Sequence, residues 1–146
     1  MASVQVTFIA AALLASTVLI HYEALQLASG LKTWSSSPSR TDILKVIAVL
    51  LVAHFVEIGL YAGVLLLCQH LGLGALAGEI EGDAIDWLYF SFSSYTTLGV
   101  GDLHPRGPLR LIAGVEALNG LVLIGWSASF TYLTMERVWK DGVERR

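Results

Sequence analysis

A short run of threonines and alternating glycines, residues 96–102, is the part of this sequence best suited to binding a ligand. It reads T-T-L-G-V-G-D and lies just after an aromatic-rich stretch, between two long apolar segments. Irregular backbone at membrane depth is tolerated only where it lines water or is buried in protein. A loop of this kind can turn its carbonyl oxygens toward an axis and replace the water shell of a cation. The run therefore predicts a cation site made of backbone oxygens.

The glycines of this run indicate how its carbonyls can share one direction. Glycine readily adopts positive φ, so successive carbonyls can point the same way instead of alternating as they do in a strand. We expect stacked rings of oxygen, and because one chain cannot close such a ring, a symmetric homotetramer is required. The expected ligands are the carbonyls of Thr97, Leu98, Gly99 and Val100, with the Thr97 hydroxyl. The whole predicted ion-binding and selectivity loop is Thr96, Thr97, Leu98, Gly99, Val100, Gly101 and Asp102.

Composition narrows the class of protein. Hydrophobic residues make up 55% of the 146 residues and charged residues only 14%, with a net charge of -3. An ordinary soluble domain has about 25% charged residues. The absence of a basic patch argues against nucleic acid as a partner. The sequence contains no G-x-S-x-G, Walker A, H-E-x-x-H or Cys-x-x-Cys motif, so we expect neither enzyme activity nor a cofactor.

Three apolar segments are long enough to cross a bilayer, which takes about 20 helical residues. They cover about residues 4–31, 43–73 and 109–138. Polar residues 21–23 interrupt the first segment. A cleaved signal peptide is the alternative for this segment, but its first basic residue, Lys32, follows the apolar run, which favours a retained helix. We therefore expect an all-α membrane protein with three transmembrane helices.

A short helix is expected immediately before the loop, over residues 83–95. At about 1.5 Å per residue, a dozen residues span some 18 Å, which is too short to cross a membrane. The helix can only descend halfway and stop, so we expect a re-entrant pore helix. Asp83 and Asp86 suit the positive end of its dipole, and its negative end then faces the membrane interior. The residues expected to support the loop are Trp87, Tyr89, Phe92 and Ser93.

Basic residues predict the orientation of the spans. One basic cluster surrounds the first connector and another follows the last span, and three spans put both on the same side. The positive-inside rule makes that side cytoplasmic. We expect a multi-pass protein of the cell membrane with its N-terminus outside and its C-terminus in the cytoplasm, although Arg106 and Arg110 lie outside. The two clusters are Lys32, Arg40 and Lys45, and Arg137, Lys140, Arg145 and Arg146.

Five residues within the predicted spans are candidates for gating or for intramembrane polar contacts. Ionisable groups in lipid are unfavourable unless paired or wetted. Helix rise places Glu57 and Glu116 at a similar depth beside the loop. They could share a proton, brace the pore helix or take part in gating, and a plain polar contact between helices is an equal alternative. Gly120 could act as a hinge or permit close packing. The set is His54, Glu57, Glu116, Asn119 and Gly120.

The loop and its flanks resemble a known family. T-T-L-G-V-G-D is similar to the T-V-G-Y-G-D signature of potassium channels, and residues 43–139 resemble their two-helix pore domain. The phrases E-A-L-N-G at residues 116–120 and G-W-S at residues 125–127 are similar to those of small bacterial members with an extra N-terminal span. The resemblance implies a passive potassium channel whose partners are its own copies, the lipid bilayer and potassium ions in the pore.

The resemblance also implies a division of the chain and a role for one aspartate. Residues 1–41 would form the N-terminal transmembrane helix and its connector, residues 42–140 the pore domain, and residues 141–146 a cytoplasmic tail. In the family the residue that matches Asp102 braces the filter loop against the pore helix. Candidate partners for this aspartate are Ser93, Tyr89 and Trp87.

One departure from the family pattern affects selectivity. Val100 stands where the family signature has tyrosine, so the hydroxyl that would anchor the loop to the pore helix is missing. The pore-lining carbonyl belongs to the backbone and survives the change. Two alternatives therefore stay open beside a potassium channel: a weakly selective sodium and potassium channel of the same architecture, and a non-conducting membrane scaffold or accessory subunit.

Overall fold

The computed structural model describes residues 2–30, 40–79 and 83–144, so the predicted basic residues Lys32, Arg145 and Arg146 lie outside the described residues. Within these ranges the chain forms four helices and one small sheet. The elements, in order, are α1 (Ala2–Gly30), α2 (Arg40–His70), β1 (Ala75–Gly78), α3 (Ala84–Tyr95), β2 (Leu103–Arg106) and α4 (Leu109–Glu144).

Three of the helices confirm the predicted spans. Ala2–Gly30, Arg40–His70 and Leu109–Lys140 are long and apolar enough to cross a membrane, with mean hydropathies of 2.0, 2.3 and 1.6. The second helix has the predicted length but begins and ends three residues earlier. It ends at His70 because Gly72 adopts a φ of 70° and two backbone bonds reverse the chain, with Gly72 donating to Gln69 at 2.9 Å and Leu73 to Cys68 at 2.9 Å. This is a glycine-terminated helix end.

The helices pack around one main core. α1 lies against both α2 and α4, and the short helix α3 lies between α2 and α4. Aromatic and branched side chains from all four helices and both strands meet there. Large buried members of this core include Tyr61, Leu65, Trp87, Tyr95 and Ile112. The outer faces are also apolar, as expected of helices that face lipid or other subunits.

A two-stranded antiparallel sheet, which the sequence analysis did not predict, joins the two ends of the re-entrant segment. Its register pairs Ala75 with Arg106 and Gly78 with Leu103. Gly78 adopts a φ of 132°, and a Cβ atom added there would lie 1.9 Å from the Asp102 carbonyl oxygen. The strands can therefore approach this closely only because residue 78 has no side chain. The sheet holds the segment before α3 against the segment after the loop.

We expect Gly78→Ala to lower the free energy of unfolding by about 1–3 kcal/mol, because it forces a side chain into a left-handed, crowded position. The measurement is thermal unfolding of the purified protein in detergent. Gly63→Ala is the matched control, since an added Cβ at Gly63 in α2 meets nothing within 4 Å. Equal unfolding temperatures for the two variants would contradict the assigned role of the sheet.

Candidate functional site

The helix before the loop begins and ends as its sequence predicts. Asp83 is its N-cap, and the Asp83 carboxylate accepts hydrogen bonds from the backbone of Ile85 at 2.9 Å and of Asp86 at 3.2 Å. Such caps satisfy amide groups that have no partner within the helix. At its other end, the Thr96 hydroxyl donates to the Phe92 carbonyl at 2.7 Å. The helix has 12 residues, so it is a half-span.

The loop that follows adopts positive φ at every second residue. The φ angles are 58° at Thr97, 59° at Gly99 and 90° at Gly101. Backbone with this alternation does not turn successive carbonyls to opposite sides as a strand does. Among the described residues, Thr97 is the one non-glycine with positive φ. A left-handed conformation is unfavourable for a β-branched residue, so the surrounding contacts must impose it.

Those contacts come chiefly from Ser93. Its carbonyl accepts a hydrogen bond from the Gly99 amide at 3.2 Å. Its hydroxyl accepts one from the Val100 amide at 3.1 Å. The Thr97 amide donates to the Ser94 carbonyl at 2.9 Å. The last turn of α3 thus supplies the acceptors for the loop amides. One of the four predicted support residues, Ser93, bonds the loop directly.

The other predicted support residues lie in different places. The Tyr89 hydroxyl interacts with the Asp102 carboxylate, which raises the pKa of Tyr89 above its ordinary value. Of the three candidate partners for Asp102, the structure thus places Tyr89 against it. Asp102 also accepts a hydrogen bond from the Leu103 amide at 2.9 Å. Trp87 is buried in the main core, and the Phe92 ring lies edge-on to Phe55 with centroids 5.6 Å apart.

Below the loop, side chains from all four helices form a closed ring of polar contacts, which we call the five-residue ring. His21 Nδ1 lies 3.0 Å from Glu57 Oε1, and the Tyr95 hydroxyl donates to Glu57 Oε2. His54 Nδ1 lies 2.9 Å from the Tyr95 hydroxyl. Ser127 Oγ closes the ring, at 3.0 Å from His54 Nε2 and 3.1 Å from His21 Nε2.

Three members of this ring were not predicted as site residues. They are His21, Tyr95 and Ser127, and their partners lie 36 to 106 residues away in sequence. The one local signal is a polar interruption at residue 21 in an otherwise apolar span. The ring matters for the loop because Tyr95 is the last residue of α3 and Thr96 follows it directly.

A second polar contact joins α1, α2 and α4. The Asn119 side chain donates to the Thr17 hydroxyl at 2.6 Å and to the Tyr61 hydroxyl at 3.2 Å. All three residues are buried. The predicted intramembrane residue Asn119 is thus bonded to α1 and α2, and the N-terminal helix is tied to the rest of the bundle at two levels.

Glu57 and Glu116 contact different parts of the pore helix. Both carboxyl groups are fully buried, and no hydrogen bond joins them. Glu57 accepts from Tyr95, whereas the Ser91 and Ser94 hydroxyls lie close to Glu116 without a hydrogen bond of ordinary geometry. Glu57 therefore contacts the last residue of α3, whereas Glu116 lies beside two serines of its last two turns.

Gly120 lies where the last helix crosses the end of the pore helix. A Cβ atom added at Gly120 would lie 2.0 Å from the Tyr95 carbonyl oxygen and 2.8 Å from its carbonyl carbon. α4 is continuous through this point. Of the two alternatives for this glycine, close packing accounts for the contact.

We expect Glu57→Gln to lower the free energy of unfolding by about 1–3 kcal/mol. Glutamine keeps the size of the side chain but replaces one accepting oxygen by a donor, which leaves a buried polar group without its partner. Glu116→Gln is the matched control and should have a smaller effect, because the Glu116 oxygens have no hydrogen-bond partner to lose. Thermal unfolding in detergent measures the stability of both variants. Equal losses of stability would contradict the assigned role of the Glu57 hydrogen bonds.

A family model described as "Ion channel" matches residues 52–137, which cover most of α2, all of α3, the loop and most of α4. The chain belongs to the ion channel family. This assignment, with the three apolar helices, makes it a multi-pass membrane protein of the pore-domain type.

One curated relative is named as a potassium channel. The chain is 35% identical over 69 residues to two-pore potassium channel 1 of Arabidopsis thaliana. The aligned part is 47% of this chain and 19% of the relative, so the chain spans about a fifth of the relative's length. No solved structure matches the chain. α1 precedes the family match and supplies His21 to the five-residue ring.

Proposed function

We propose that the chain is a passive, potassium-preferring channel in which four copies surround one axis. The carbonyls of Thr97, Leu98, Gly99 and Val100 coordinate dehydrated potassium ions. The observation that carries this proposal is the alternation of φ sign along the loop, which is fixed by the hydrogen bonds that Ser93 accepts from the loop amides. Rings of backbone carbonyls replace the hydration shell of a potassium ion in this kind of filter.

The exposed surface of the single chain supports assembly into a tetramer. A groove of about 540 Å³ opens between α2, α3 and α4, with an almost wholly apolar lining. Phe55 and Tyr132 on the walls of the groove are 59% and 61% exposed. The side chain of Leu98, within the loop, is 72% exposed. A helix from a neighbouring copy would cover the groove, and the loop side chains would pack against neighbouring loops around the axis.

The direction of α3 and the positions of the basic residues support the proposed orientation of the pore in the membrane. The C-terminal end of α3 carries a partial negative charge, and four such ends around an axis stabilise a cation beneath the filter. Arg40 and Lys45 at the start of α2 lie at the same end of the bundle as Arg137 and Lys140 in α4 under a three-span topology. The positive-inside rule then puts this end in the cytoplasm of a cell membrane and the N-terminus outside.

The test of conduction is potassium flux from purified protein in liposomes, compared with sodium flux and with block by barium. Gly99→Ala should abolish flux, because Gly99 needs a φ of 59° although an added methyl would meet nothing within 4 Å. Gly125→Ala in α4 adds the same methyl, also to open space, without a positive φ, and should retain flux. Flux from Gly99→Ala at the level of the parent would overturn the role of the loop. Absence of flux from the parent chain under every pH and voltage would favour the non-conducting scaffold.

A second candidate function is a weakly selective channel for sodium and potassium, and Val100 favours it. The Val100 amide is held by Ser93, but its side chain is 54% exposed and offers no hydroxyl to anchor the loop. A loop with less support adapts more easily to a smaller ion. Bi-ionic reversal potentials distinguish the two candidates.

We expect Val100→Tyr to raise the permeability ratio of potassium over sodium roughly tenfold, which corresponds to about 1.4 kcal/mol. The added aromatic ring and hydroxyl stiffen the loop against the pore helix. Reversal potentials under bi-ionic conditions measure this ratio. Val64→Tyr, in the half-buried wall of α2 away from the loop, is the control and should leave the ratio unchanged. Identical ratios for Val100→Tyr and the parent would contradict the prediction.

A further inference from the structure

The five-residue ring contains a set of donor atoms that can hold a metal ion. One ligand atom each from His21, His54 and Glu57 lies within 4.8 Å of the other two. The side chains of His21 and Glu57 are fully buried and His54 is 14% exposed. The ring lies below the filter loop and takes no part in the proposed coordination of potassium. Its chemistry is therefore a separate question from conduction.

A count of hydrogens shows that the ring needs one more positive charge than its neutral side chains bring. Five contacts close the ring, and each requires one hydrogen. Two neutral imidazoles, one hydroxyl and one phenol supply one hydrogen each, and the Glu57 carboxylate supplies none. A buried carboxylate is stable only when it is paired. Either an additional proton or a metal cation fills this requirement.

The orientation of the two histidines favours a metal cation. Both Nε2 atoms face the single oxygen of Ser127, at 3.1 Å and 3.0 Å. A hydroxyl oxygen has two lone pairs and can accept from both rings at once. The Ser127 hydrogen then points out of the ring, so the shortage of hydrogens among the neutral side chains rises from one to two. The lone pairs of both Nδ1 atoms then face Glu57 and Tyr95. Histidines that bind metals usually have their second nitrogen fixed by a hydrogen bond of this kind.

The ring is close to the size that a small tetrahedral ion needs, although most of its contacts are shorter than the ligand spacing around such an ion. Zinc bonds to imidazole nitrogen and carboxylate oxygen of about 2.0–2.2 Å put neighbouring ligand atoms about 3.3–3.5 Å apart. His54 Nδ1 lies 3.3 Å from Glu57 Oε2, and His21 Nδ1 lies 3.0 Å from Glu57 Oε1. The Tyr95 oxygen, 2.9 Å from His54 Nδ1 and closer still to Glu57 Oε2, is available as a fourth donor and must move away from Glu57 to reach this spacing.

We propose that the ring is a structural zinc site, with His21 Nδ1, His54 Nδ1, the Glu57 carboxylate and the Tyr95 oxygen as ligands and Ser127 as their support. Zinc replaces two hydrogens, the one on the Tyr95 oxygen and the one between His21 and Glu57, and both leave as protons. Two positive charges then balance one carboxylate and one phenolate, so the site is neutral inside the membrane. Imidazole and carboxylate donors in a closed tetrahedral set suit zinc.

Occupancy of this site would join the N-terminal helix to the base of the loop. His21 belongs to α1, His54 and Glu57 to α2, and Tyr95 ends α3 directly before Thr96. The inference extends beyond the proposed channel function, and metal binding is measured without any flux. A failure of one proposal is therefore distinguishable from a failure of the other.

The test uses the full chain, purified in detergent without a histidine tag and incubated with zinc or cobalt before excess metal is removed. We expect one metal ion per chain and the intense visible absorption of four-coordinate cobalt. His21→Gln should lose both. His70→Gln, at the exposed end of α2, is the matched control and should retain both. Ser127→Ala should bind metal about 10- to 100-fold more weakly, because it removes the support of both imidazoles.

Either of two results with the parent protein would overturn the zinc site. One is a metal content in the parent protein no higher than in His21→Gln. The other is the weak absorption of six-coordinate cobalt in the parent, which indicates adventitious surface binding. If His21→Gln does not fold, Tyr95→Phe replaces it. This variant keeps the aromatic side chain of residue 95 and removes only its phenolic oxygen. An unchanged cobalt spectrum in Tyr95→Phe would exclude Tyr95 as a ligand and with it the proposed tetrahedral set.

Discussion

The requirement that backbone polar groups find partners inside a membrane governs this fold. A helix satisfies its own amides and carbonyls, but the loop after α3 cannot, because no lipid group accepts its hydrogen bonds. The last turn of α3 supplies the acceptors instead, through Ser93 and Ser94. This is why the helix stops halfway and why the loop folds back against its end. The carbonyls of the loop are left without backbone partners, which makes them available to an ion.

The N-terminal helix is integrated into the pore domain through polar contacts rather than through apolar packing alone. His21 and Thr17 reach across the bundle to Glu57 and Asn119. Apolar contacts between helices in lipid gain little from the hydrophobic effect, so polar contacts and close packing decide how helices associate. The family match begins within α2, yet the environment of the pore helix is completed by α1. In this chain α1 is therefore a fourth helix of the pore-domain bundle, beside α2, α3 and α4.

Hydropathy, helix length and glycine spacing predicted the three spans, the half-helix and the glycine-containing loop that follows it. These features depend on local properties of the chain, which a sequence displays directly. The sheet was missed because its strands have four residues each and no alternating pattern. The five-residue ring was missed because its members are brought together by tertiary packing. The positive φ of Thr97 was missed because a β-branched residue has no intrinsic preference for it. Gly120 was singled out, but sequence alone could not choose between its two roles.

The contact between Gly120 and the Tyr95 carbonyl has a mechanical consequence. Most helix pairs touch through side chains, whose rotamers can absorb small displacements. Here the two main chains meet without an intervening side chain, since even a methyl group would overlap the carbonyl. A tilt of the inner helix toward α3 is therefore passed undamped to the peptide unit that leads into Thr96. The base of the loop and the backbone of α4 are thus in direct main-chain contact.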